Sequence, residues 1–530
     1  MNPLNSQSDS PPDNQLKNEA GPSDYTDLSN RQHAILLASI LIVALCGIAY
    51  ELIIGTISSY LLGNSVYQFS LTIGFFMFAM GVGSYLSKLL DDQLIRNFIS
   101  VEIAISLVGG ICSLLLFMAF PFVRALYDTV MYSLILIIGA LVGMEIPILT
   151  TILSKKHSTR DSIANVMSLD YIGALIGAVS FPLLLLPQLG LVRSSFAIGL
   201  VNILTALVNI YFFRHQLKSP RLLGGIALLI FVMLVSFTVA GTRLTSFAEK
   251  HLYFDQVIYT KQTAYQRIVV TRSTTTREKR LYIDGHIQFS SRDEYRYHEA
   301  LVHPVMSHPG PRKNILILGG GDGLAAREIL KYDDVESIHL VDIDPEMTKI
   351  SREFPTLSIL NQRSLENEKL TIFHQDAFNF INQAGILYDK VIIDMPDPHN
   401  EAINKLYSRE FYTMIKKRMA PNAAIVSQSS SPFFTRKTYW CISETMQHIF
   451  GEILNYHTTV PAFGLWGFNL ASNDGVISDL LPINVPTRYL TDKKLKASMI
   501  FGKDIEQVDT AVNSIMEPKL YQFYIEDLQT

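Results

Sequence analysis

The sequence predicts two unlike halves: an N-terminal multi-pass α-helical membrane bundle of about seven helices, then an α/β Rossmann-like domain preceded by a small antiparallel β-sheet. Three observations predict it. Seven apolar stretches, each about the twenty residues needed to cross a bilayer as a helix, follow one another in the first half. The run Ile315 to Gly323 (ILILGGGDG) reads as a buried strand, a tight turn and a helix start. Carboxylates then recur where further strands end, at Asp342 and Asp344, at Asp376, and at Asp394 and Asp397. Polar residues at successive strand ends describe the crevice side of an open α/β sheet.

Residues 1–32 are rich in Ser, Asn, Asp and Pro and are expected to be a disordered tail. No basic segment leads into a short apolar run with a small-residue cleavage site, so a cleaved signal peptide is not expected. The bundle is assigned to 33–242, with apolar stretches near 34–58, 68–90, 99–120, 130–153, 165–187, 191–213 and 222–241. Loops after the second, fourth and sixth stretches carry Lys88 and Arg96; Lys155, Lys156 and Arg160; and Arg214, Lys218 and Arg221. The positive-inside rule puts those loops in the cytoplasm and the C-terminal half outside. Glu51, Glu102, Glu145 and Asp170 lie within apolar stretches, where ionisable groups are costly and face a bundle interior.

The 530-residue chain has a net charge of −4 and no basic tract interleaved with aromatics, so nucleic acid is not an expected partner. Cys46, Cys112 and Cys441 are far apart, which excludes a disulfide framework and a cysteine-rich metal site.

Residues 243–312 are expected to form the small β-strand domain, from the strand-like runs at 266–271 and 280–285. A helix signal follows at Asp293 to Leu301. The Rossmann-like, methyltransferase-like domain is assigned to 313–475, with strands ending before Gly319, at Val341, near His374 and at Ile393. A closing helical segment, 476–530, shows its pattern in Asp504 to Met516. Asp342 falls about twenty residues beyond the glycine turn, the place for an acidic side chain on ribose hydroxyls.

As an ordered set these pieces resemble the aminopropyltransferase (spermidine synthase) family over about 255–475, in its membrane-embedded bacterial branch. The matching residues are Tyr265 and Gln266; Asp284, Gly285 and Gln288; Asp293, Glu294, Tyr297, His298 and Glu299; Gly319 to Gly323; Asp342 and Asp344; Asp376 and Ala377; Asp394, Asp397 and Pro398; and Leu406 to Ser408 with Phe411 and Tyr412. The resemblance implies transfer of an aminopropyl group from decarboxylated S-adenosylmethionine, a substrate rather than a cofactor, to putrescine or a related amine. It makes Asp394 the catalytic base. It places Gln266, Asp342, Asp376, Ala377, Gly319 and Gly320 on the donor nucleoside, and Tyr297, His298, Asp322 and Asp397 on the amines, with no metal.

Both reactants are cations, so the pocket should be lined with carboxylates rather than lysines, and a carboxylate must take the attacking amine's proton. Three departures fall on the amine side: Met395-Pro396 between the paired aspartates, Asn400-Glu401-Ala402 after them, and Phe463 where the family has a tyrosine. The alternatives are an S-adenosylmethionine-dependent methyltransferase on the same fold, or a membrane polyamine sensor or transporter whose soluble domain only binds. Asp322 argues against the first, because a carboxylate there repels a donor ending in a carboxylate. The buried acids of the bundle suit either a polyamine or proton path or interhelical hydrogen bonds. Expected partners are the amine, the nucleoside sulfonium donor and the lipid bilayer, with a homo-oligomer left open. Expected localisation is the cell (inner) membrane with the catalytic domain cytoplasmic, where the donor is made, in conflict with the loop charges.

Overall fold

The computed structural model describes residues 28–529 apart from 63–64, 91–92, 155–157, 254, 264 and 478. The tail expected over 1–32 lies outside the described residues as far as residue 27, as do Lys155 and Lys156; the first helix already begins at Asn30.

The first half is helical: α1 (Asn30–Leu62), α2 (Ser65–Leu86), α3 (Leu94–Phe122), α4 (Tyr127–Leu153), α5 (Thr159–Ser180), α6 (Leu186–Phe213) and α7 (Pro220–Leu252). Among the described residues, six helical stretches are long and apolar enough to cross a membrane. One of the six is 55 residues long and holds both α5 and α6, the fifth and sixth of the expected stretches, joined through the wide turn Phe181–Leu185. The departure from helical geometry comes at Gly190 (φ 71°), just past Pro187, where no Cβ opposes it. The apolar window of α1 is 61% buried, against 22% for α2 and 17% for α7, so α1 runs through the middle of the bundle.

Beyond α7 stands a four-stranded antiparallel meander: β1 (Gln256–Gln262), β2 (Arg267–Arg272), β3 (Lys279–Ile283) and β4 (His286–Ser290). Asp284 and Gly285 both take positive φ, 48° and 82°, as a two-residue hairpin with the right twist demands. Strands β1 and β4 escaped the sequence reading because β1 is a half-exposed edge with no clean alternation.

Helix α8 (Glu294–Met306) leads into β5 (Asn314–Gly319), α9 (Leu324–Ile329), β6 (Ser337–Val341), α10 (Pro345–Glu353), β7 (Leu370–Phe373), β8 (Tyr388–Asp394), β9 (Met419–Gln428), β10 (Ile453–Val460) and β11 (Gly464–Ser472). The seven strands lie in the order β10-β11-β9-β8-β5-β6-β7, with β11 antiparallel to both its neighbours and the rest parallel. Strand order reverses between β5 and β8, which opens a crevice at their carboxyl ends, the usual binding position of a doubly wound sheet.

The helix expected over Asp504 to Met516 is absent; the helices after β11 are Asp492–Ser498 and Lys519–Gln529. Tertiary bonds replace the intrahelical ones. Trp440 Nε1 donates to the Ile505 carbonyl at 3.1 Å and Arg436 Nε to the Glu506 carbonyl at 2.8 Å, so helix Arg436–Phe450 holds this segment in a non-helical course.

Candidate active site

The glycine turn is built around Asp394. Gly319 pairs in register with Asp394 across β5 and β8, and a Cβ on Gly319 would sit 2.1 Å from the Asp394 carbonyl oxygen. A Cβ on Gly321 would sit 2.3 Å from Asp342 Oδ2, which accepts instead from the Gly321 amide at 3.0 Å. Only glycine lets these strand ends approach so closely. Asp342 Oδ1 accepts from the Asp344 amide at 2.9 Å, and burial pushes the carboxyl up to about 6.

The small sheet is tied to this crevice through Asp344. Its Oδ1 caps α10 by accepting from the Glu346 amide at 3.0 Å, and its Oδ2 accepts from Thr263 Oγ1 at 2.9 Å. Thr263 also accepts from the Gln266 amide, so the β1–β2 turn carrying Gln266 is seated on the nucleotide side of the main sheet.

Every residue assigned from the sequence lines one cavity of about 370 Å³: Gln266, Tyr297, His298, Gly319, Gly320, Asp322, Asp342, Asp376, Ala377, Asp394 and Asp397. The Tyr297 hydroxyl donates to Asp394 Oδ1 at 2.6 Å. Burial, with the Asp322 charge, pushes Asp394 up to about 6 although His298 and Tyr297 pull it down. Asp397 is pushed up to about 7 by burial, against hydrogen bonds from Ser430 and Gln428, and its Oδ1 has no partner among the described residues. Asp322 is also raised by burial, with His298 opposing, and its Oδ1 accepts from the Leu324 amide at 2.9 Å.

Four features of the site were not read from the sequence. His298 Nδ1 meets Glu294 Oε2 at 3.0 Å, and Glu294 is held by two parallel bonds from Arg327, each 2.9 Å. Burial opposes a charged ring, but the Glu294 bond and the Asp322, Glu294 and Asp394 charges hold His298 up to about 9. Lys405 enters the lining and pairs with Asp376 Oδ2 at 2.7 Å, so the expectation of carboxylates without lysines is corrected. That lysine's charge is matched inside the wall, and Asp376 Oδ1 caps the helix Ala377–Gln383. His286 of the β3–β4 hairpin stacks on His399 of the segment after β8, ring centres 5.1 Å apart. Finally, Trp466 donates to Gln428 Oε1 at 3.1 Å and packs edge-on against Phe463. Arg327, buried among the alanines and leucines of a helix start, was the one legible signal, since such a cation needs a buried acid.

The departures now have places. The Met395 carbonyl accepts from Gln428 Nε2 at 2.6 Å, and Met395, Pro396 and Gln428 all line the cavity. Phe463 lies edge-on to Tyr297 with ring centres 6.1 Å apart, so the amine side is more aromatic and less hydroxylic than the motif pattern led one to expect.

Fold and crevice define an α/β enzyme that binds a nucleoside and lines its reacting end with carboxylates. Residues 294–478 match the family described as the spermine/spermidine synthase domain. The chain is 42% identical to a polyamine aminopropyltransferase of Leptospira interrogans over 92% of this chain and 97% of that one. It is 40% identical to another from Oceanobacillus iheyensis, over 94% and 98%. A solved spermidine synthase in complex with the transition-state analogue AdoDATO is 25% identical and covers 46% of this chain and 85% of that one, with a TM-score of 0.42. The chain belongs to the polyamine aminopropyltransferase family, and is an enzyme of aminopropyl transfer in polyamine biosynthesis. The methyltransferase and binding-only alternatives give way to that membership.

Proposed function

We propose that the cavity moves an aminopropyl group from decarboxylated S-adenosylmethionine to a diamine of putrescine type, with the helical half holding the enzyme in the cell (inner) membrane. The observation that carries this reading is Asp394, a half-buried carboxylate pushed up to about 6, bonded to Tyr297 and facing the same space as Asp397.

The amine nitrogen attacks the methylene beside the sulfonium. A carbon–nitrogen bond forms, the carbon–sulfur bond breaks, and its electron pair neutralises sulfur as the thioether of methylthioadenosine. The proton released by the amine passes to Asp394, ionised at neutral pH because its pKa lies at about 6. The thioether leaves without a metal. Positioning and fixed charge carry the remainder of the acceleration.

On the donor side, Asp342 takes the ribose hydroxyls with oxygens already oriented by the Gly321 and Asp344 amides. Ala377 and Asp376 border the adenine, Gln266 reaches the nucleoside from the small sheet, and Gly319 and Gly320 let it approach backbone. On the amine side, Asp397 offers its unpartnered oxygen to an ammonium, and Tyr297 orients both Asp394 and the attacking nitrogen. His298 was expected to hold an amine directly. With Nδ1–H committed to Glu294 and the ring charged below about 9, it has no lone pair to accept from an ammonium. We assign it the task of keeping Asp322 and Asp394 ionised.

The six apolar stretches support a membrane location. The catalytic half adjoins the end of α1, where Tyr60 meets Tyr253 at 3.3 Å, so it lies at the opposite end of the bundle from Lys88, Arg96 and Arg214. We place it in the cytoplasm, against the loop charges, because its donor is made there. Two measurements test the proposal. With a panel of diamines, putrescine-like chains should yield methylthioadenosine and the aminopropylated amine in equal amounts. A fluorescent protein fused after Thr530 should fluoresce; an active alkaline phosphatase fusion with a dark fluorescent one would reverse the sidedness.

A further inference from the structure

Away from the cavity, the middle of the bundle holds polar groups that satisfy nothing. Glu102 of α3 and Glu145 of α4 are 0% and 1% exposed, and none of their carboxylate oxygens has a hydrogen-bond partner among the described residues. The same is true of both amide atoms of Asn202 on α6 and of the Tyr50 hydroxyl on α1, all at 0% exposure. Elsewhere in the bundle some polar side chains pair across helices, although Gln68, Thr72, Ser162 and Ser194 each keep an unpartnered atom too. Ser113 bonds Ser195, and Asn209 Nδ2 donates to Ser39 Oγ at 2.8 Å. Interhelical hydrogen bonding therefore explains those residues and not this group.

Helix registers bring the group to one level. Glu102 and Glu145 interact electrostatically, and each also acts on Tyr50 and Cys46. The Tyr50 ring abuts Gly109 of α3, and Gly47 of α1 faces Val142 of α4. Between α3 and α6 the pairs Ser113 with Ser195 and Gly110 with Gly199 run antiparallel, which puts Asn202 a turn further on, toward Ser106 and Glu102. These registers set the four side chains on neighbouring turns of α1, α3, α4 and α6, around Ala44 to Tyr50.

Two acids stripped of water and left without a cation are costly in an apolar interior. Among the described residues no set of His, Cys, Asp and Glu has metal-site grouping, which favours a ligand that brings its own hydrogens. We propose that Glu102, Glu145, Asn202 and Tyr50 form a second amine-binding site, inside the bundle, for the ammonium end of a diamine or polyamine. A primary ammonium has three N–H donors, matched here by the two carboxylates and the Asn202 amide oxygen from three helices. Its methylene chain lies along the apolar helix faces. The amine as ligand rests on the family's chemistry; the site itself rests on the bundle.

The test uses the full chain in lipid nanodiscs, carrying Asp397→Asn to weaken the cavity, with radiolabelled putrescine as the probe. Saturable binding should remain, and adding Glu102→Gln with Glu145→Gln should weaken it by about 10-fold or more, the loss of charge-assisted contacts. In the otherwise native chain the same pair should leave aminopropyl transfer in place. A second measurement needs no variant: a hydrophobic carbodiimide should modify Glu102 or Glu145, and putrescine should protect them. Binding unchanged by the paired substitution, or labelling unchanged by putrescine, overturns the site. Absence of transfer by the native chain, with bundle binding intact, would instead count against the cavity reading alone.

Discussion

Tyr297 Oη lies 2.6 Å from Asp394 Oδ1, joining the first turns of α8 to the end of β8 across the mouth of the crevice. The bond fixes the carboxylate's rotamer, so the other oxygen can face an attacking amine. Asp394→Asn should therefore lower kcat by about 10²–10⁴, the usual worth of a general base, with donor affinity nearly unchanged. Tyr297→Phe should keep the base and lose its orientation, giving a smaller fall in kcat. Steady-state kinetics paired with donor binding by calorimetry separates the two. Near-normal turnover of Asp394→Asn would remove it from its role.

The pH profile follows from the same pair of aspartates. Asp394 and Asp397 are raised to about 6 and about 7, and each must be ionised to accept a proton or hold an ammonium. Activity should fall as pH drops through this window, with kcat/KM showing macroscopic values that belong to the site as a whole. Asp397→Asn should remove the upper step. An acid limb that starts only near the ordinary carboxylate range would contradict the burial argument.

Asp397 also has a stability signature. Its folded value of about 7 exceeds the unfolded value of ~3.9, so folding takes up a proton between them. The penalty of ionising it is absent below the unfolded value and complete above about 7. Asp397→Asn should raise the apparent Tm in mildly alkaline buffer and change it little in acid, as read by differential scanning fluorimetry. A Tm lowered equally at both would mean that the carboxylate makes structural bonds.

Donor choice is expected to turn on Asp322, raised by burial beside the charged His298. Asp322→Asn should weaken the decarboxylated donor and narrow its advantage over intact S-adenosylmethionine, since the repelling charge is gone. Competition binding of the two sulfonium nucleosides checks this. Equal discrimination before and after would leave Asp322 only its bond to the Leu324 amide.

Much of the proposed donor side was legible because Gly319 ends β5 and Asp342 and Asp376 follow β6 and β7 closely, and strand ends are written in sequence as apolar runs stopping at Gly or Asp. Asp342 and Asp394 needed no more than that. Lys405 and Arg327 could not be read the same way. Their partners, Asp376 and Glu294, stand 29 and 33 residues away, and only the sheet brings them together. The missing helix over Asp504 to Met516 is the converse case, a local pattern overruled by Trp440 and Arg436. The apolar stretches were plain, whereas the shape of the bend between α5 and α6, with Pro182, Pro187 and Gly190, was not.

The central claim is that Asp394 and its neighbours transfer an aminopropyl group, and product analysis tests it most directly. The purified full-length chain is incubated with decarboxylated S-adenosylmethionine and putrescine, and separately with intact S-adenosylmethionine and putrescine. The account predicts methylthioadenosine and an aminopropylated diamine in the first mixture, neither with Asp394→Asn, and no S-adenosylhomocysteine in the second. Adenosylhomocysteine from the intact donor, with no methylthioadenosine from the decarboxylated one, would contradict it.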